Sequence, residues 1–299
     1  MALDRNLVGV KGAPVERSWS SSDVLLYAVA VGGGQQDPIQ ELEFTTENTA
    51  GSPLRVLPTY ANLLGSAGGL DLGDIDRSGL VHAEQAITLH RPLAVEGSAR
   101  STARVVGMYD KGTAALVVVE DTVVDAKTSE PLATCTSSMF IRGEGGFGGE
   151  RGPKTEWLVP DRAPDDVVGY QTRPEQALVY RLTGDRNPLH SDPEFASRGG
   201  FAQPILHGMC TYGYTGRALL HAVCGSDPAR FGSMSARFSR PVLPGAGLEV
   251  SIWIESDVAY FRTTSEGATV IDQGRFELAP QQTTTDSHTP AAASSPAVR

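Results

Sequence analysis

The chain has 299 residues, 40% of them hydrophobic and 7% aromatic, enough to build the core of one large domain or two ordinary ones. Its formal net charge of −10, with no Lys/Arg block to neutralise phosphates, argues against a nucleic-acid surface. The longest apolar run, residues 24–31, is too short to span a bilayer, and the N-terminus lacks a basic segment leading into an apolar one, so the expected address is the cytosol.

Taken in chain order, Leu26-Tyr27-Ala28-Val29-Ala30-Val31-Gly32 comes first. Residues 58–72 then occupy the place of a helix but are short and interrupted by Gly65, Gly68 and Gly69. His90-Arg91-Pro92-Leu93 leads through Gly97 into β-type residues, with strand signals at 114–119 and 135–141. Between Arg142 and Pro164 the composition shifts to Gly, Pro and charge, which marks a linker. Beyond it the pattern starts again. Val179-Tyr180-Arg181-Leu182-Thr183-Gly184 precedes Ser239-Arg240-Pro241-Val242 at nearly the spacing that separates Tyr27 from Pro92, so the two halves read as copies of one unit. In the second copy Ile205, Met209, Tyr212, Leu219 and Val223 fit one buried helix, whose Gly208, Gly213 and Gly216 predict close packing against a sheet. Residues 248–254 alternate apolar with polar, as a half-buried antiparallel strand does.

Two units of one helix and several antiparallel strands describe an α+β fold in which each sheet wraps a central helix, degraded in the first copy. The expected division is 1–142 for the first repeat, 143–164 for the linker, 165–280 for the second repeat and 281–299 for a disordered tail of Thr, Ser, Ala and Pro. Cys135, Cys210 and Cys224 are odd in number and lack CxxC spacing, so buried free thiols are expected.

The chemistry concentrates in Tyr180-Arg181-Leu182-Thr183-Gly184-Asp185-Arg186-Asn187-Pro188-Leu189-His190, followed by Gln203-Pro204-Ile205-Leu206-His207-Gly208-Met209. Gly184 and Pro188 prevent regular helix, so Asp185 and His190 can turn toward one point. Taken singly, Asp185 and Asn187 suit a turn, and His190 suits a hydrogen-bonded structural histidine. His207 stays open between capping the helix and shaping a pocket. A metal held by Asp185, His190 and His207 has suitable ligand types but no recognised metal-binding spacing, so none is expected.

These segments resemble the hydratase 2 enzymes, also called MaoC-like dehydratases, which act on 2-enoyl-CoA thioesters. The family's Tyr…Gly-Asp-x-Asn-Pro-Leu-His motif is filled by Tyr180, Gly184, Asp185, Asn187, Pro188, Leu189 and His190, its helix-opening motif by Ile205-Leu206-His207-Gly208, and its Phe before a Pro-rich turn by Phe238. The resemblance runs from about Val24 to Leu278. It implies a double hot-dog fold with one active site, because the first copy has Gly32-Gly33-Gly34-Gln35-Gln36-Asp37-Pro38 where the motif would stand. It also implies (R)-specific hydration of a trans-2-enoyl-CoA and the reverse dehydration, without organic cofactor or metal, with CoA as part of the substrate. Asp185 and His190 would then activate water, Asn187 would fix the water or the Asp, and the Gly208 N–H would bind the thioester oxygen. Substrate contacts carried over are His82 with Ala83, where the family has Gly, Lys111 of Lys111-Gly112, and Phe238. A homodimer is implied as well, with no membrane or nucleic-acid partner. The chain ends Ala297-Val298-Arg299, unlike a peroxisomal signal. The alternatives are a catalytically silent acyl-CoA-binding subunit and a dehydratase acting on carrier-protein thioesters.

Overall fold

The computed structural model describes residues 3–65, 70–75, 79–153, 157 and 159–280; Gly68, Gly69 and the predicted tail 281–299 lie outside them. Each predicted strand signal falls inside an observed strand. The first half contains β1 (Val15–Trp19), α1 (Ser21–Ala30), α2 (Leu42–Thr45), a 3₁₀ turn (Pro58–Leu63), β2 (Leu80–Leu89), β3 (Gly97–Asp110), β4 (Ala114–Asp125) and β5 (Pro131–Arg142). The second contains β6 (Asp166–Gln171), α3 (Gln176–Tyr180), α4 (Pro193–Arg198), α5 (Gly208–Ala222), β7 (Phe231–Phe238), β8 (Gly247–Glu255), β9 (Val258–Ser265) and β10 (Ala268–Leu278).

Among the described residues these strands make one sheet in the order β1-β3-β4-β5-β2-β7-β10-β9-β8-β6, antiparallel at every pairing. Five strands are followed by their five counterparts in reverse, as a double hot dog requires. The seam is β2 against β7, from Glu84 opposite Arg237 to Thr88 opposite Ser233. Helix α1 starts where the Asp23 carboxylate accepts from the backbone N of Ser20 at 2.8 Å and from its hydroxyl at 2.7 Å. In β8 the expected alternation holds through Leu248, Val250 and Ile252 but breaks at Trp253. That residue is buried because its Nε1 donates to the carbonyl of Arg162, so the connecting stretch covers the outer face there. The start of the same stretch is strapped down: the Asp110 carboxylate accepts from Gly112 N at 2.7 Å, Gly146 N at 3.0 Å and Gly148 N at 2.7 Å.

Helix α5 is buried on every side from Cys210 to Leu220, which fits its apolar and small residues. It begins at Gly208 and not at Ile205, because the N of Leu206 donates to the carbonyl of Val242 at 2.8 Å and His207, the residue before the helix, has φ −58° and ψ 131°. The expectation that its glycines face a sheet holds at Gly208, where a Cβ would meet Phe238 of β7, and is only partly met at the other two. A Cβ on Gly213 would lie 2.4 Å from Val31 Cγ1, and one on Gly216 2.5 Å from Thr59 Cγ2, so both seat α5 against the first repeat's α1 and 3₁₀ turn. Gly213→Ala would improve helix propensity by about 1 kcal/mol. Val31 is fully buried and stiff at its branched Cβ, so overpacking outweighs that gain. A net loss of about 1–2 kcal/mol is expected as a lower urea midpoint with an unchanged m-value; an equal or higher midpoint would contradict this packing.

A buried ion pair also joins the repeats. Arg217 on α5 is 3% exposed and binds Glu41 twice, Nη2 to Oε2 at 2.7 Å and Nε to Oε1 at 3.0 Å. Its Nη1 donates to the carbonyl of Val31, and the guanidinium lies over Tyr170 at 4.7 Å. Burial would raise the Glu41 pKa, but the hydrogen bond from His221 and the charge and hydrogen bonds of Arg217 outweigh it and bring it down to about 2. Cys135, Cys210 and Cys224 are buried and free, as expected.

Candidate active site

The loop between α3 and α4 follows from its sequence step by step. A 3₁₀ turn over Arg181–Thr183 ends at Gly184, whose φ of +130° is open only to glycine, and this reversal presents Asp185. The Asp185 Oδ1 accepts from the backbone N of Asn187 at 3.1 Å. Asn187 in turn caps the next 3₁₀ turn, Pro188–His190: its Oδ1 accepts from Leu189 N at 3.1 Å, and Pro188 takes the position where a missing N–H costs nothing. His190 closes that turn. Asp192 then accepts from Glu194 N and Phe195 N to start α4. So Asn187 holds Asp185 through its backbone N–H, while its side-chain amide caps the turn.

The second segment meets the first edge to edge. Ile205 N donates to the carbonyl of Leu189 at 3.4 Å, and His190 Nδ1 donates to the carbonyl of Ile205 at 2.8 Å. His190 Nε2 is thereby left as the bare acceptor. His207 sits at the helix start without a side-chain capping bond; its Nε2 donates to the carbonyl of Asp185 at 3.3 Å. Its ring stacks on His190 with centroids 3.7 Å apart and lies 4.9 Å from the ring of Tyr180. Its side chain therefore does not cap the helix, and its ring packs against His190 and Tyr180. Its Nδ1 is buried without a hydrogen-bond partner among the described residues.

Asp185, His190 and His207 bring one ligand-type atom each within 4.8 Å of one another. The predicted convergence of Asp185 and His190 is therefore present, with Asp185 exposed and both imidazoles buried. The same three groups could be taken for a metal site. His190 Nδ1 and His207 Nε2, however, are not available as ligands while they donate to the carbonyls of Ile205 and Asp185.

Gly208 opens α5, where the first amides have no intrahelical acceptor. The ring of Phe238 lies 3.3 Å from where a Gly208 Cβ would stand, and His82 meets Phe238 edge-on at 5.0 Å. Ala83 is the extra residue of a bulge in β2, between His82 opposite Met139 and Glu84 opposite Ser138, and the bulge aims His82. Its φ is not in the left-handed region, so Ala is accommodated where the family has Gly. Lys111 stands apart in the β3–β4 turn, with its ammonium on the carbonyl of Arg151 and 5.9 Å from the centre of the Tyr109 ring. The carbonyls of Ile205 and Asp185, which set both imidazole tautomers, have no side-chain signal and escaped sequence reading.

Burial lowers the pKa of His190 below its ordinary 6.5, partly countered by the bond to Ile205 and by the Asp185 charge. His207 is held down to about 4, by burial first and then by the neighbouring His190. Both rings are therefore neutral near pH 7. Because the folded pKa values lie below the unfolded one, the unfolded chain binds more protons in acid, and stability must fall as pH drops from about 6.5 toward 4. The base form of His190 is lost over the same side of the profile. Melting temperature and kcat/KM followed from pH 8 to 4 should decline together; activity that instead rises on acidification through 6 would assign His190 the opposite protonation state.

Residues 18–143 match the MFE-2 hydratase 2 N-terminal domain, and residues 157–274 match the MaoC like domain. The chain is 43% identical over 290 residues to 3-hydroxyacyl-thioester dehydratase Y of Mycobacterium tuberculosis, covering 93% of this chain and 99% of that protein. It is 42% identical over 268 residues to the enoyl-CoA hydratase ChsH3 of the same organism, covering 85% and 90%. Among solved structures, a MaoC-like dehydratase from Phytophthora capsici superimposes with a TM-score of 0.82 at 33% identity, over 93% of this chain and 98% of that one.

Proposed function

Since the chain belongs to the MaoC-like dehydratase family, with a hydratase 2 N-terminal domain ahead of its MaoC-like domain, we propose that it reversibly hydrates trans-2-enoyl-CoA to (R)-3-hydroxyacyl-CoA. The observation that carries this is the convergence of Asp185 and His190 next to the first turn of α5. A water held between the carboxylate and the bare His190 Nε2 presents a lone pair to C3. As the C3–O bond forms, His190 takes a proton and the Asp185 charge favours the imidazolium. The electron pair of the double bond moves onto the thioester oxygen, where the Gly208 N–H donates to the enolate. The enolate electron pair then forms the C2–H bond with the proton that His190 gives back, so H and OH add with none released to solvent. No organic cofactor or metal is needed for these steps.

We extend the proposal to a homodimer in the cytosol. Three buried free thiols suit a reducing compartment, and β1 and β6 each end the sheet with one neighbour. Among the described residues no helix is long and apolar enough to cross a membrane. The deciding experiment follows loss of enoyl-thioester absorbance with trans-2-enoyl-CoA esters and resolves product chirality. Turnover to the (R)-alcohol supports the hydratase; binding of CoA esters with no turnover at any chain length would leave a silent acyl-CoA-binding subunit.

A further inference from the structure

Beside the reaction centre lies a cavity of about 120 Å³, lined by Asn62, Gly65, His82, Gln85, Asp121, Cys135, Ser137 and Met209. It sits where the first repeat has a 3₁₀ turn in place of a long helix. Met209 follows the oxyanion donor Gly208, and His82 packs on the Phe238 that covers Gly208, so the acyl group beyond C3 has this space next to it. An alkyl tail would call for an apolar wall. The wall here is a hydrogen-bonded row: Ser137 Oγ donates to Gln85 Oε1 at 2.7 Å, Gln85 Nε2 donates to Asn62 Oδ1 at 2.8 Å, and Asn62 Nδ2 donates to the carbonyl of Thr59 at 3.2 Å. Gln85, in the middle of the row, is 3% exposed.

The capacity left over in this row is mostly for accepting. Ser137 Oγ has spent its proton on Gln85, and Asn62 Oδ1 has room for a second donor. A buried methylene gains about 0.8 kcal/mol, whereas stripping water from an amide or hydroxyl without replacing its bond costs about 1–3 kcal/mol. Sites built to hydrogen-bond a hydroxyl discriminate far more strongly than apolar sites count methylenes.

We propose that the acyl chain this enzyme takes carries a hydroxyl beyond C3, whose single proton is shared between Asn62 Oδ1 and Ser137 Oγ, and is not a plain alkyl chain. This rests on the hydratase function above. The test compares kcat/KM for trans-2-hexenoyl-CoA, 6-hydroxy-trans-2-hexenoyl-CoA and trans-2-decenoyl-CoA, in the wild type, Asn62→Leu and Ser137→Ala. The hydroxylated ester is expected to exceed its alkyl counterpart by about 10-fold or more in the wild type, with the ratio collapsing in both variants. Within-variant ratios are insensitive to loss of folded protein, and the wild-type series decides the matter even if a variant does not fold. Turnover of the alkyl esters equal to or above the hydroxylated one overturns this proposal alone. Absence of turnover with every ester overturns the hydratase function and this proposal with it.

Discussion

Asp185→Asn is expected to lower kcat/KM for enoyl-CoA hydration by about 10³-fold while leaving the melting temperature within a degree or two. The amide keeps the size of the carboxylate and can still accept the 3.1 Å bond from Asn187 N, so the loop should stay in place. Asp185 is exposed, which removes the usual route by which such a change unfolds a protein. What disappears is the negative charge that stabilises the His190 imidazolium, together with one acceptor for the attacking water. His190 should then titrate at still lower pH in the variant, because burial remains and the charge that opposes it is gone. Histidine NMR titration reads this directly. A variant that keeps more than a tenth of wild-type activity would remove Asp185 from the chemistry, and the hydratase proposal would need another group to hold the water and stabilise the His190 imidazolium.

The largest loss of stability is expected from Glu41→Gln, about 3–5 kcal/mol by chemical denaturation, because it leaves the Arg217 guanidinium charged and buried without its partner. No group of the reaction centre is touched, yet the effect should reach it, since Arg217 belongs to the helix that begins at Gly208. Acid adds a second signature. The Glu41 pKa lies near 2, below its ordinary 4.5, so its contribution is fully present above about 4.5 and is lost as pH falls toward 2. Glu41→Gln should lack that part of the wild-type acid slope. A loss under 1 kcal/mol, or an identical acid slope, would show that the pair is not holding the repeats together.

The reaction centre was legible in the sequence because its geometry is local. Gly184, Asn187 and Pro188 fix turns over a few residues, and those turns aim Asp185 and His190 without help from distant parts of the chain. Strands β4 and β8 were legible for a similar reason, since period-2 burial is written along most of each; β1, exposed at four of its five positions, carries no such pattern. Less visible was anything made by the meeting of segments far apart. The glycines of α5 predicted a close neighbour but not that Val31 and Thr59 would be it. The Arg217–Glu41 pair crosses 176 positions, and nothing near either residue announces the other. Gln85 breaks the apolar run of alternate positions that continues through Ile87 and Leu89 in β2, and that mismatch was the available signal for the polar cavity.

The mirrored strand order has an evolutionary consequence. In a symmetric assembly of two identical copies, any substitution made for one copy's pocket would also appear in the other, so substrate preference could change only at the risk of the chemistry. Joined in one chain, the copies are free to differ. Residues 32–38 have given up the motif and pack on α5, where Gln35 accepts from the Tyr214 hydroxyl at 2.8 Å. The first repeat can thus drift toward new acyl groups while the second keeps a fixed set of turns for handling water and its protons. Change in what is bound and constancy in what is done to it fall on separate stretches of one gene.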